Sequence, residues 1–150
     1  MYNPPSPRYE TAVAIEQLAT DLNLPNERWM QDWAYIVSIP QHIDKYISHY
    51  KKLSDDDQKF ALMMLILQAL EEQDNQIDKY KSEVSALLQQ EYPLHAYTIF
   101  HWCSFDNEDL SDCWEITPMM REIFLSNNVL KESGEDQLSI EYRDNYENNC

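Results

Sequence analysis

The stretch HWCSFDNEDLSDCWEITPMMR, His101 to Arg121, gathers two cysteines, one histidine, five carboxylates and two tryptophans into 21 residues, closed by a single arginine. Three kinds of chemistry draw on such a set: a metal site, a nucleophile with its base, or an acidic surface for a partner. Structural zinc takes four nitrogen or sulfur ligands, usually as two close pairs. Here there is one loose pair, His101-x-Cys103, with Cys113 ten residues on. Cys103 lies on an aromatic helical face, where a cysteine packs as a small hydrophobe. The run DNEDLSD has the oxygen count of a calcium loop, but lacks the glycine and the distant bidentate glutamate of an EF-hand. His42 and His49 are two helical turns apart, about 10 Å of rise, too far for one metal. His95 and His101 diverge around their helix.

Nucleophilic catalysis fares no better. No serine sits in a GxSxG elbow and no cysteine in a protease context. Carboxylates are abundant, but a glycosidase needs two of them facing each other across a cleft. The expectation is therefore no catalytic residue, no metal and no cofactor.

A partner surface remains. Asp106 to Glu115 carries five carboxylates and no basic residue, with Trp114 inside it and Phe105 at its border. Massed like charges destabilise a fold unless they are well solvated or a basic partner relieves them. Aromatic anchors in a polar rim are what protein interfaces use. The plain alternative is a solvated loop with Trp114 tucked into the core, and spacing does not choose between the two. A second acidic cluster, Glu71, Glu72, Asp74 and Asp78, follows the most apolar segment of the chain. The expected partner-binding residues are Asp106, Glu108, Asp109, Asp112, Trp114 and Glu115, with Glu71, Glu72 and Asp74.

Composition limits what can position these groups. The chain has 150 residues, enough for one domain to bury a substantial core without metal or disulfides. It has one glycine. Tight hairpins and phosphate-cradling loops depend on glycine, so a β-rich fold and a nucleotide-binding loop are both disfavoured. An all-α class is left. The net charge of −16 makes nucleic acid and anionic membrane poor partners and a basic protein a good one. The opening MYNPPSPRYE lacks the basic and apolar regions of a signal peptide, and FALMMLIL is too short to span a bilayer. Three cysteines are an odd count, as expected of reduced thiols in a cytoplasm.

Hydrophobic spacing predicts six or seven helices in a single bundle spanning 1–150. After an extended lead-in at 1–8, a helix over 8–22 is expected with Ser6 as its cap. A second, capped by Asn26, should carry Trp29 and Trp33 on one face until Pro40. A third, over 41–52, turns Ile43, Tyr46, Ile47 and Tyr50 inward. The fourth, about 55–73, is expected to start from a Ser54–Asp57 capping box, and ten of the eleven residues of its segment FALMMLILQAL are apolar. A helix apolar all round belongs at the centre of a bundle. Helices at 75–91 and 94–103 follow, then an irregular acidic loop near 105–116 and a Thr117-Pro118 helix start. A polar tail is expected from 127 to 150, with weak alternation at 137–143 that reads as a short strand or as plain tail.

The segment SDDDQKFALMMLILQALEEQ, with LLQQEYPLHAYTIFHWCSFD and CWEITPMMREI after it, resembles a loose class of small bacterial proteins over Ser54 to Ile123. These are immunity proteins of toxin–immunity systems, often encoded beside contact-dependent or type VI secreted toxins. The shared features are structural: a capped buried helix, an aromatic helix, and a tryptophan before a Thr-Pro helix start. The resemblance carries over no site residue. It implies a role, that of a cytoplasmic antidote binding one cognate toxin, and the charge makes that toxin basic, with nucleases among the candidates. Two other classes stay open: a small helical metalloprotein or enzyme using Cys103, Cys113 and a histidine, and an acidic nucleic-acid mimic or adaptor.

Overall fold

The computed structural model describes residues 2–74 and 76–131. Its regular structure there is wholly helical: α1 (Ala12–Leu22), α2 (Trp33–Val37), α3 (Ile43–Lys52), α4 (Asp56–Glu71), α5 (Ile77–Gln90), α6 (Tyr92–Cys103) and α7 (Thr117–Lys131), with 3-10 turns at Pro40–His42 and Leu110–Asp112. Two units separate, one of Pro7–His95 and one of the described residues of Met1–Ser6 and Ala96–Cys150. The 137–143 segment lies outside the described residues.

In the first unit, α4 is the hub. Phe60, Ala61, Leu62, Met63, Leu65, Ile66, Leu67, Ala69 and Leu70 are all buried, which covers every face of the helix. It packs against α1, α2, α3 and α5. An all-round apolar helix can satisfy its surface only when surrounded, and the others supply one-sided stripes for the purpose. On α3 the stripe is Ile43, Tyr46, Ile47 and Tyr50, as the spacing predicts. On α5 it is Tyr80, Val84, Leu87 and Leu88, with Ile77 only half-buried.

Several helix starts differ from the sequence expectation, each for a local reason. The first helix begins at Ala12, capped by Thr11, whose hydroxyl accepts from Ala14 N at 3.1 Å. Ser6 caps nothing there, because the chain before Thr11 is held extended by tertiary contacts. Arg8 pairs with Asp57 at 2.9 Å and lies over the Phe60 ring, and Glu10 accepts from the Ala34 N–H. The helix expected from Asn26 is reduced to Trp33–Val37. Trp33 is buried and its indole N–H donates to Pro25 O at 2.7 Å, which folds 25–32 back as turns. Trp29 does not share its face and is 69% exposed. Asp32 breaks any continuation with a left-handed φ of 55°. On α4 the cap is Asp55, one residue after Ser54, accepting from Gln58 N at 2.9 Å. Asp56 and Asp57 then occupy the first turn, where the helix dipole favours them.

With glycine nearly absent, the positive-φ positions among the described residues fall to Asn23, Asp32 and Ser104. Asn23 closes α1, its N–H reaching Ala19 O and Thr20 O.

In the second unit, α7 buries Met120, Ile123, Phe124 and Leu125, with Met119 half-buried. It runs to Lys131, past the expected polar boundary at Asn127. The side chains of Asn127 and Asn128 bond back to Ile123 O and Phe124 O at 2.8 and 2.7 Å, which lets polar residues continue the helix. Around Phe124 stand the rings of Tyr2, Phe100 and Phe105, with centroids 5.3–5.6 Å away.

Leu62→Ala in α4 should cost about 2–5 kcal/mol of stability in denaturant titration, whereas Trp29→Ala should stay within about 0.5 kcal/mol. Comparable losses from the two would contradict the hub.

Candidate functional site

The acidic loop is built from the end of α6 to the start of α7. Ser104 ends α6 at φ 51°, its N–H on His101 O. The chain then turns through Asn107, whose amide donates to Ser104 Oγ at 2.6 Å. Asp109 accepts from both the N–H and the hydroxyl of Ser111, at 3.0 and 2.9 Å, and so starts the 3-10 turn Leu110–Asp112. These bonds hold the Asp109 carboxyl below its ordinary range. Thr117 closes the loop: its hydroxyl donates to Trp102 O at 2.9 Å and accepts from Trp114 N at 3.2 Å.

Beneath the loop lies Arg121, the arginine that ends the opening stretch. Only 6% exposed, it donates to Cys103 O at 2.6 Å, Ser104 O at 2.7 Å and Asn107 O at 3.3 Å. Its guanidinium lies 5.0 Å from the centre of the Phe105 ring. Two of the carbonyls belong to the C-terminal end of α6, where a helix has unsatisfied acceptors and a negative dipole end. One cation therefore ends α6, fixes the turn after it and ties both to α7. Spacing alone did not identify this role. The available signal was a lone basic residue four positions into a helix that follows an acidic run.

On this frame Asp106, Glu108, Asp109, Asp112 and Glu115 are all exposed. Trp114 combines the two readings left open above. One side packs on Trp102 and His101, with centroids 4.6 and 5.4 Å away, yet the residue is 39% exposed. The second cluster lies in the α4 unit. Glu71 is half-buried at the end of α4, while Glu72 and Asp74 are exposed beyond it. Glu72 is the C-cap and accepts from Gln68 Nε2 at 2.7 Å. No basic residue occupies the last turn of α4.

Of the groups able to do metal or thiol chemistry, Cys113 is a half-buried free thiol and Cys103 a buried one. Cys103 is fully buried, and burial pushes its thiol well above the usual range despite the nearby Arg121 charge. His101 is exposed against Trp114, and His42 stands edge-on to Tyr46. Among the described residues no group of three His, Cys, Asp or Glu side chains is arranged to hold a metal ion. Nor is any helix among them long and apolar enough to cross a membrane.

One buried polar network had no sequence signal beyond the inward face of α3. Tyr50 donates to Glu91 Oε1 at 2.8 Å, and Lys59 donates to Glu91 Oε2 at 3.0 Å. His95 Nε2 lies 2.7 Å from the same Tyr50 hydroxyl. Because that hydroxyl's single proton points at Glu91, neutral His95 carries its proton on Nε2 and donates it to Tyr50. Burial pushes His95 down to about 4, against the pull of Glu91. Burial also raises Tyr50 strongly. For Glu91, burial acts upward but is outweighed by the bonds from Tyr50 and Lys59, and the carboxyl titrates below its usual value. The network is a neutral histidine and an ionised carboxylate sharing one phenol.

No protein-family model, curated protein or solved structure matches the chain.

Arg121→Ala should cost about 3 kcal/mol, since it strips charge-assisted bonds from buried carbonyls. It should also speed amide exchange in the 104–117 loop; unchanged exchange would contradict the clamp. The pH response carries two opposed contributions. His95 titrates at about 4 when folded against 6.5 unfolded, so its contribution is complete above 6.5 and is lost as pH falls toward 4. Glu10 is raised to about 7 from 4.5, by burial first and the Asp32 charge second, against the Ala34 bond. Its contribution is complete below 4.5 and is lost as pH rises through 7. Glu10→Gln should therefore gain stability relative to the parent progressively between pH 4.5 and 7. Denaturant titrations at about pH 5 and about pH 8 read the difference; parallel profiles would contradict it.

Proposed function

We propose that this chain is an immunity protein, a cytoplasmic antidote that binds one basic cognate toxin domain and occludes its active site. The observation that carries this reading is the acidic loop on its arginine clamp. Five exposed carboxylates are held together on a hydrogen-bonded frame, and an aromatic side chain stands half out of the core among them. The arginine that caps α6 also holds the carboxylates in one arrangement, which supports their presentation to a partner. Such a surface offers carboxylates where a nuclease holds phosphate oxygens. Steering by the net charge of −16 speeds encounter, and an anchor such as Trp114, covered on binding, sets the off-rate.

Charge reversal at Asp106, Glu108, Asp109 and Asp112 tests the surface. Measured by stopped flow against a basic toxin domain encoded beside this chain, association should slow by about ten-fold or more at low salt. The difference should shrink as salt screens the charges. Equal rates for parent and variant would leave the loop without this role. Equally tight binding to several unrelated basic proteins would favour a nucleic-acid mimic instead.

A further inference from the structure

We propose that a cleft at the C-terminal end of α4 binds a guanidinium group, as an arginine side chain presented by the partner. The inference rests on the protein-binding reading above and adds a contact to it. The cleft has a volume of about 360 Å³, at the small end for ligand sites, with room for one side chain. Pro40, Ile43 and Tyr80 line it on the apolar side, and Glu72, Gln73 and Asp74 supply charged and polar groups.

The charged groups of that lining, Glu72 and Asp74, have one sign, and the amides of Gln41 and Gln76 complete it. Gln73 is locked: its Nε2 donates to Pro40 O at 2.8 Å and to Ala69 O at 3.0 Å. Both amide hydrogens are committed to carbonyls, so the amide cannot flip, and the group left to serve a ligand is the Oε1 acceptor. Glu72 and Asp74 are acceptors when ionised. Tyr80 is 5% exposed, has its hydroxyl committed to Asp44 Oδ2 at 2.9 Å, and offers the cleft only a narrow strip of its ring. Lys79 Nζ stands 5.1 Å from the centre of the same ring without lining the cleft. The cleft also lies at the negative end of a 16-residue helix with no basic residue in its last turn. A donor-rich, planar cation meets all of these at once. Guanidinium presents five donors in a fixed fork, stacks on aromatic rings and desolvates more easily than an ammonium.

The test uses the full chain and a probe that needs no toxin. Nα-acetyl-arginine amide, one guanidinium on neutral ends, is titrated while backbone and side-chain amide resonances are followed. The proposal expects saturable shifts confined to residues 40–43, 72–74 and 76–80, including the Gln73 side-chain amide, with Kd in the range of about 1–10 mM. The neutral isostere Nα-acetyl-citrulline amide should produce none, and the lysine analogue should bind more weakly. Glu72→Gln with Asp74→Asn, both exposed sites, should weaken arginine-amide binding by about ten-fold. Shifts spread evenly over the acidic surface would overturn the proposal. So would equal binding of citrulline or lysine, or an indifferent double variant. Because the probe is independent of any toxin, its failure leaves the immunity reading standing, and its success does not depend on that reading.

Discussion

Like-charge repulsion is the constraint that every part of this chain must accommodate. With 27 acidic residues against 11 basic, the folded state brings carboxylates together that the unfolded chain would keep apart. Much of the structure reads as ways of relieving this. Asp55, Asp56 and Asp57 sit at the start of α4, where exposed N–H groups and the dipole welcome them. Arg8 comes from the extended lead-in to meet Asp57, Lys51 pairs with Glu83, and Lys59 reaches Glu91 beneath Tyr50. Among the described residues, the loop from Asp106 to Glu115 and the end of α4 each group exposed carboxylates. At the second the negative charge even adds to the helix dipole. In both, the local structure is built around backbone bonds and locked side chains.

Hydrophobic burial provides the rigidity that makes such strain affordable. The apolar residues from Phe60 to Leu70 of α4 are buried except half-buried Met64, and Phe124 anchors an aromatic cluster in the other unit. Arg121 then converts one buried charge into a fixed loop. Of the residues that first suggest chemistry, Cys103 and His95 are absorbed by the core, while Cys113 is half-buried and His101 exposed.

The helical class and the central place of α4 were legible because both follow from local rules. Glycine scarcity disfavours hairpins, and an apolar run on all faces must be surrounded. The inward stripe of α3 was legible for the same reason. Helix starts were less so. Ser6 and Asn26 are good caps in isolation, but Arg8, Glu10 and the Trp33 indole find partners far along the chain that local sequence does not display. The candidate site was half legible. Its carboxylates stand out in composition. Its support does not, because the acceptors of Arg121 are backbone carbonyls at Cys103, Ser104 and Asn107, and a carbonyl looks the same in every residue. The locked amide of Gln73 was hidden in the same way.

An immunity protein of the kind proposed inhibits its toxin stoichiometrically through an acidic surface. The most direct measurement is a titration of toxin-domain activity with this chain, at toxin concentrations well above the dissociation constant. The account predicts a linear fall to complete inhibition at one equivalent, with the complex recovered intact afterwards. Full toxin activity in the presence of excess chain would contradict it, and so would inhibition at far below one equivalent, the mark of a catalyst.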